Sequence, residues 1–245
     1  MGLVRLLTDA DWAPREHLYR LTAMLASSLL LTFGALFLAA PLGIAYAVVC
    51  AFYANRRTAA CLLWLVEVSA GMPTVVYGLW GLVVVVPWLG AFFSGPGTSL
   101  LAGVLILSMM IFPTITVVSH AAIQAVPRSY LYASTALGVS RASTIRHVVF
   151  HHARAGFFSA ATLAAARAIG ETIVVLMVCG NVVQIPDSLL DPVRALTANI
   201  ALEMPYATGM HQSALYATGL MVLCVVTVLV VLSESYAYRQ ARSRT

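Results

Sequence analysis

The chain has no lysine and few charges of any kind. All 14 of its basic residues are arginine, and only 9% of its 245 residues are charged, whereas an average soluble domain carries about 25%. Apolar residues make up 61%, which is too many for a surface in water and excludes a soluble globular, a disordered and a fibrous protein. The composition therefore predicts an all-α, polytopic membrane protein.

Several chemical motifs are missing as well. No GxxxxGK[ST] stretch is present to cradle the phosphates of ATP, so we expect any ATP hydrolysis to occur in a separate partner chain. The cysteines form no CxxC pair, so we do not expect a zinc site and interpret them as buried structural thiols. These cysteines are Cys50, Cys61, Cys179 and Cys224.

The basic residues fit neither a metal nor a nucleic acid. His147 and His151 are four residues apart and His152 follows, but no carboxylate or cysteine accompanies them, so metal binding is not predicted. The net charge of +5 does not come from a stripe on one soluble face, so nucleic acid is not an expected partner. We expect no metal and no cofactor, and we expect membrane lipids to surround the chain.

Charge-free runs mark the membrane spans. Residues 21–54 form a run of 34, where about 20 residues suffice to cross a bilayer. Residues 68–127 form a run of 60, which is the length of two spans separated by a glycine- and proline-rich turn at 87–99. We predict an external segment at 1–20 and a transmembrane domain at 21–245. Its spans lie near 21–54, 59–86, 98–122, 155–183 and 212–233.

The distribution of arginine predicts the orientation. One set of segments has nine arginines and the other has four, and the arginine-rich side should face the cytoplasm. The nine are Arg56, Arg57, Arg128, Arg141, Arg146, Arg154, Arg239, Arg242 and Arg244, and the four are Arg5, Arg15, Arg20 and Arg194. Segment 127–154 and the C-terminus are then cytoplasmic, and 184–211 is external. The N-terminus is external too, which suggests a missing first span or an internal start.

Two charges lie inside one predicted span. Arg167 and Glu171 occur in ARAIGETIVVLMV, where a charge at the bilayer centre costs about 2.5–3.5 kcal/mol. Their spacing would put both on one helix face. Either they form a structural pair, or they line a translocation path, in which the planar fork of the arginine suits a phosphate-like anion.

A third intramembrane charge, Glu67, precedes a segment rich in helix breakers. Glycine and proline recur in GMPTVVYGLWG, and such breakers are tolerated in a membrane where neighbours satisfy the freed backbone groups. The segment is either a kinked packing helix with close-approach glycines or a broken helix that lines the pathway. In the second case, Thr74 and Tyr77 supply hydroxyl groups.

Segment 127–154 differs from the spans because it is basic and polar. It consists of two short amphipathic pieces joined at Leu137 and Gly138. This pattern predicts a docking surface for a soluble partner. An ordinary basic loop that only fixes orientation is the other interpretation.

Four stretches together resemble the permease subunits of bacterial ABC importers, specifically the phosphate-specific transport permeases. MPTVVYGLWGL is similar to the family's Ile-Pro-Ser-Ile-Val-Tyr-Gly stretch, with Glu67 where the family also has glutamate. RAIGETIVVLMVCGN resembles its Arg-Ala-Leu-Gly-Glu-Thr helix, and YASTALGVSRASTIRHVV resembles the cytoplasmic loop that importer permeases share. ADWAP resembles the stretch that follows the family's first span. The resemblance extends from about residue 7 to residue 235.

The resemblance implies a type I importer permease core, here with about five spans, in the cell inner membrane. It implies a second homologous permease subunit, two cytoplasmic ATPase subunits and an external phosphate-binding protein. The residues it places on the substrate pathway are Arg167, Glu171, Thr172, Glu67, Thr74 and Tyr77. The residues it places at the ATPase contact are Tyr132, Ala133, Ser134, Leu137, Gly138 and Arg141.

The chain also departs from the family pattern. Tyr132 and Ser134 stand where the shared loop has glutamate and alanine, and His151 stands where proline is usual. The missing glutamate is a charge that helps to dock the ATPase in the family. Two other functions are therefore considered: a secondary transporter or channel without an ATPase, and a degenerate scaffold that transports nothing. Phosphate is the leading substrate, with phosphonate, sulfate and other oxyanions as alternatives.

Overall fold

Long apolar helices account for most of the chain. The computed structural model describes the backbone of residues 12–16 and 18–242 and the side chains of 12–14, 16 and 18–235. Most of the predicted external segment 1–20 lies outside the described residues, as do Arg5, Arg244 and the side chains of Arg15, Arg239 and Arg242. In the described part the helices are α1 (Thr22–Val48), α2 (Arg56–Ala70), α3 (Thr74–Trp80), α4 (Val86–Phe93), α5 (Leu100–Gln124), α6 (Arg128–Ala136), α7 (Arg141–Thr144), α8 (Phe150–Gly170), α9 (Ile173–Val178), α10 (Leu196–Glu203) and α11 (Met210–Arg242).

Shorter elements connect or extend these helices. Strands β1 (Trp12–Ala13) and β2 (Leu18–Tyr19) pair antiparallel, around a 3₁₀ turn at Pro14–Glu16. A second 3₁₀ turn, Met204–Tyr206, follows α10. Three π-helical turns extend or join helices, and such turns are frequent at functional sites. They are Val49–Tyr53, Gly81–Val85 and Ile145–Val149.

Four helical stretches in the described residues are long and apolar enough to cross a membrane, compared with about five predicted spans. They are Thr22–Tyr53, Thr74–Phe93, Leu100–Gln124 and Met210–Ser235. The predicted span near 155–183 is not among them, because α8 ends at Gly170 and its first turns contain His151, His152 and Arg154. Whether α8 and α9 cross the bilayer together stays a prediction.

Two other predicted boundaries are wrong. The predicted span near 59–86 is interrupted at Gly71–Pro73, and the candidate span begins at Thr74 and continues to Phe93. The predicted turn at 87–99 is accordingly shorter: α4 occupies its first half, and the chain turns only at 94–99. Pro87 directly follows the π-helical turn Gly81–Val85 and Val86, inside this helical stretch, so it does not end the helix.

The chain divides into two units. The first comprises residues 1–35, 72–109 and 165–228. One of its apolar clusters joins the β-hairpin to the starts of α1, α10 and α11, through buried side chains that include Trp12, Tyr19, Met24, Leu196 and Leu215. Ser28 also accepts a hydrogen bond from the backbone N–H of Leu196, so the loop before α10 is fixed against α1.

The second unit comprises residues 36–71, 110–164 and 229–245. Its apolar cluster contains Ala47, Ile123, Val126, Val149 and Ala153. The segments after α5 and before α8 therefore pack against the last turns of α1. This unit contains the whole of segment 127–154, so the segment is held by packing and is not a free loop.

Candidate functional site

The first candidate site lies in the first unit, at the break between α8 and α9. Glu171 and Thr172 occupy this break, and Glu171 is buried. Glu171 Oε1 accepts a hydrogen bond of 3.3 Å from Val174 N–H, and the Glu171 carbonyl accepts one of 2.7 Å from Thr197 Oγ1. Side chains thus replace helical backbone bonds, as the apolar surroundings require.

Arg167 lies in the last turn of α8 and is only partly exposed. It is close enough to Tyr77, a buried residue of α3, for its charge to act on the phenol. The close approach of α3 to α9 explains this neighbourhood, because Gly78 packs directly on α9: a Cβ on Gly78 would lie 2.8 Å from Met177 Sδ. Arg167 and Tyr77 are therefore electrostatic neighbours in the first unit, and their role in a pathway stays a prediction.

The other predicted pathway residues have more varied positions. Thr74 lies one turn before Tyr77 on α3 and is partly buried. Thr172 is beside Glu171, and its hydroxyl lies 3.4 Å from the Gly170 carbonyl, which is long for a hydrogen bond. Glu67 belongs to α2 in the second unit, where its side chain is exposed. Their roles in a pathway stay predictions.

The break changes the argument about the charged pair. Because α8 ends at Gly170, the i,i+4 relation of a continuous helix does not hold between Arg167 and Glu171. Glu171 instead serves as an acceptor at the start of α9. Thr197, which satisfies its carbonyl, was missed by the sequence analysis, since 26 positions separate the two residues and no local pattern joins them.

This region can chemically bind an anion. A guanidinium offers five N–H donors in a planar fork, and a tyrosine hydroxyl in the same region offers one more. Partial burial strengthens such bonds compared with those at a water-exposed arginine. An oxyanion with several acceptor oxygens matches this set of donors.

The second candidate site is the turn between α6 and α7 in the second unit. Two short helices meet there, as the amphipathic pattern predicts. Gly138 has a φ of 69°, and its N–H donates to the Thr135 carbonyl, which ends α6. Leu137 is 81% exposed and Tyr132 is 66% exposed. Exposed apolar groups of this kind are what the predicted docking surface requires.

Not every predicted coupling residue faces outward. Ser134 is buried and donates a hydrogen bond to the Tyr130 carbonyl, while its neighbour Ala133 is exposed. Arg141 donates to the Phe52 carbonyl at 3.0 Å, and its guanidinium lies 5.8 Å from the centre of the Tyr53 ring. These contacts fix α7 to the end of the first candidate span. The predicted contact of these residues with an ATPase stays a prediction.

A third polar cluster was not predicted. The Glu203 carboxylate bonds Arg194 at 2.7 Å, His211 at 2.8 Å and the Trp12 indole at 3.0 Å. It therefore ties the β-hairpin, the loop before α10 and the start of α11 together in the first unit. The sequence showed only isolated charges in a loop, 191 positions from Trp12.

The sequence analysis also made predictions about the cysteines and about metal binding. Cys50 and Cys179 are buried as predicted, but Cys61 and Cys224 are exposed, so the prediction of four buried thiols is wrong. The two exposed cysteines lie on faces of α2 and α11 that no described part of the chain covers. Among the described residues, no group of three or more possible ligands could hold a metal ion.

Known proteins resemble this chain over most of its length. The probable ABC transporter permease protein YqgH of Bacillus subtilis (strain 168) is 38% identical over 238 residues, which cover 95% of this chain and 77% of that protein. The phosphate transport system permease protein PstC of Mesorhizobium japonicum is 31% identical, with 98% and 79% covered. The corresponding protein of Methanocaldococcus jannaschii, named as probable, is 29% identical, with 92% and 78% covered.

Solved structures share the fold. A chain from inward-facing MetNI, a methionine ABC transporter, has a TM-score of 0.63 at 20% identity and covers 92% of this chain and 94% of its own. A chain of an amino acid ABC transporter has a TM-score of 0.63 at 16% identity, with 89% and 92% covered. The predicted importer-permease fold is thereby confirmed. The family described as binding-protein-dependent transport system inner membrane component matches residues 39–243, and the chain therefore belongs to it.

Proposed function

We propose that this chain is the membrane-spanning permease subunit of an ATP-driven importer of inorganic phosphate. The observation that carries the proposal is the similarity, over more than nine-tenths of the chain, to permease proteins of phosphate transport systems. The donor groups of Arg167 and Tyr77 in a partly buried region support the same conclusion. Neither a transporter without an ATPase nor a degenerate scaffold is favoured by these relatives.

The proposed assembly contains subunits beyond this chain. Membership of the family supports an ATPase and an external binding protein in general. We propose a second homologous permease, two cytoplasmic ATPase subunits and an external phosphate-binding protein. Segment 127–154 and the C-terminus then face the cytoplasm, as the arginine distribution favours.

In the proposed mechanism, this chain does no chemistry on ATP. ATP binding closes the ATPase dimer, and the exposed turn at Leu137 and Gly138 transmits that motion to α7 and α8. Arg141 keeps the turn attached to the end of the first candidate span. The helices then switch between inward- and outward-facing states, and Arg167 offers its N–H donors to the anion.

The test separates a structural role of Arg167 from a role in transport. Arg167→Lys keeps the charge but loses the bidentate fork, and we expect uptake to fall about tenfold, which corresponds to about 1.4 kcal/mol on the transport barrier. Arg167→Met combined with Glu171→Gln removes both charges, while the amide oxygen still accepts from Val174 N–H. This double variant should assemble and fail to transport.

The measurement is uptake of labelled phosphate, normalised to assembled complex in the membrane. Uptake near the wild-type rate in the double variant would contradict the role of Arg167. Competition by unlabelled sulfate or phosphonate as strong as that by phosphate would contradict phosphate as the substrate. Uptake that is independent of a co-expressed ATPase would contradict the whole proposal.

A further inference from the structure

A cavity of about 270 Å³ opens in the second unit, beside the end of the first candidate span. Pockets for small molecules measure roughly 300–1,000 Å³, so this one accommodates part of a larger molecule. Five of its six lining residues are apolar or aromatic, and the sixth is an arginine. The lining residues are Val48, Tyr53, Ala142, Ile145, Arg146 and Phe150.

The arginine at this cavity has no carboxylate partner. Arg146 is exposed, and within the part of the chain that the structure describes it makes no ion pair. Arg141 lines an adjoining hollow that shares Ile145 with the cavity. Arg141 uses one N–H group on the Phe52 carbonyl, and a guanidinium carries five. Arg146 thus lines this cavity, and Arg141 lines the adjoining one.

The charge of the surrounding sequence has one sign. No aspartate or glutamate occurs between Glu67 and Glu171, a stretch that contains five arginines. They are Arg128, Arg141, Arg146, Arg154 and Arg167. This stretch supplies no counter-charge of its own, so an anionic ligand at the cavity complements it.

The position of the cavity indicates the chemistry of that ligand. Tyr53 is the last residue of the candidate span Thr22–Tyr53, and tyrosine is enriched where the bilayer meets water. Tyr53 and Phe150 both expose aromatic surface at the cavity. Lipid headgroups and acyl chains meet at this depth. The apolar walls can therefore contact an acyl chain while the guanidinium binds the headgroup of the same lipid.

We infer that this cavity binds an anionic phospholipid, with its phosphate at Arg146 and the first part of an acyl chain along Val48, Ile145 and Phe150. Basic pockets beside membrane helices bind acidic headgroups in this way. Free phosphate would leave the apolar walls without a partner. The inference goes beyond the proposed function, because it concerns neither the transported anion nor the pathway region at Arg167.

The test measures lipid binding and not uptake. The full-length chain, purified in mild detergent, is titrated with phosphatidylglycerol, and native mass spectrometry counts the lipids bound per chain. Phosphatidylcholine is the matched lipid without net charge. We expect one phosphatidylglycerol to bind in preference to phosphatidylcholine.

Three variants locate the site. Arg146→Gln should weaken phosphatidylglycerol binding about fivefold, which corresponds to about 1 kcal/mol for one basic residue at an anionic membrane surface. Ala142→Leu fills the cavity, keeps every charge and should also reduce binding. Arg154→Gln is the matched control, because Arg154 is exposed on α8 but does not line the cavity. Both arginines are exposed, so neither change threatens folding.

Four results would overturn the inference. Equal binding of the two lipids would show that charge is not recognised. An equal effect of Arg154→Gln and Arg146→Gln would mean diffuse attraction and not a site. Displacement of the lipid by equimolar inorganic phosphate would assign Arg146 to free phosphate. Unchanged lipid binding in Arg146→Gln, with weaker capture of the ATPase subunit, would assign the surface to protein docking.

Discussion

Arg167 has a charged side chain in a helix that is otherwise rich in alanine, and its neighbours explain how the chain tolerates this charge. The charge of Arg167 acts on the phenol of Tyr77, and the glutamate four positions later accepts a hydrogen bond at the start of α9. A charge inside a membrane is expensive, and the sequence predicts that this helix crosses one. The break after Gly170 creates this environment, because it frees backbone groups that polar side chains then satisfy.

Thr197 on α10 donates the hydrogen bond that the backbone carbonyl of Glu171 accepts at the break. Thr197→Val leaves the buried Glu171 carbonyl without its 2.7 Å partner, and an unsatisfied buried acceptor costs about 1–3 kcal/mol. We expect a lower thermal unfolding midpoint, and Thr197→Ser should restore it. The control is Thr227→Val, because Thr227 is an exposed threonine that bonds only within its own helix. Equal midpoints for the two valine variants would contradict this role.

Sequence reasoning found the charged members of this region but not their arrangement. Arg167, Glu171 and Tyr77 stood out because a charge or a helix breaker in an apolar run is conspicuous. Thr197 and Glu203 did not, because a threonine or a glutamate in a loop is ordinary until the fold brings a partner to it. The i,i+4 argument failed for a physical reason: it assumes a continuous helix, and the helix ends between the two residues.

Helix α8 packs on α5 through two very small residues. A Cβ on Gly156 would lie 2.2 Å from the Cβ of Ala122, so the two backbones approach as closely as side chains permit. Gly156→Ala should therefore destabilise the second unit by about 1–3 kcal/mol, as overpacking does. The double variant with Ala122→Gly exchanges the two residues and should recover most of the loss.

The measurement is the thermal unfolding midpoint of the purified chain. Gly219→Ala is the control, because its added Cβ would meet only Ile200 Cδ1 at 3.9 Å, an ordinary contact. A double variant as unstable as Gly156→Ala alone would show that steric overlap with Ala122 is not the cause.

The turn between α6 and α7 allows a test of coupling that leaves stability unaffected. Leu137 is already 81% exposed, so Leu137→Asp loses almost no burial. It should nevertheless abolish docking of this turn into an apolar groove of the ATPase subunit. Phosphate-dependent ATP hydrolysis should then fall by tenfold or more. Leu189→Asp is the matched control, because Leu189 is exposed in the segment predicted to be external. Normal coupled hydrolysis in Leu137→Asp would remove this turn from the ATPase contact.

Helix content was predictable here, and helix ends were less so. Charge-free runs located the candidate spans that begin at Thr22, Leu100 and Met210 to within a few residues, because length and hydropathy decide membrane insertion. The span after Arg57 was misplaced because proline was interpreted as a turn residue. Pro73 does interrupt the helix, whereas Pro87 lies inside a helical stretch just after a π-helical turn, and only the backbone distinguishes these two contexts.

The asymmetry of the arginines predicts the orientation of the chain in the membrane. We expect segment 127–154 inside and 184–211 outside. Single cysteines at Ser143 and Ser188, in a background without other cysteines, test this with a membrane-impermeant thiol reagent on intact cells. Position 188 should react and position 143 should react only after permeabilisation. The reverse labelling pattern would show that the protein has the opposite orientation in the membrane.

Helix α8 is one continuous element that ends three residues after Arg167. It has 21 residues, and at about 1.5 Å per residue it forms a rod of about 31 Å. A tilt of about 5° about its first turn moves its last turn by roughly 2.7 Å, which is the length of a short hydrogen bond. Helix α8 ends at Gly170, three residues after Arg167, so α9 need not follow this movement. We therefore expect a small tilt of α8 to move the guanidinium of Arg167 by about the length of one hydrogen bond.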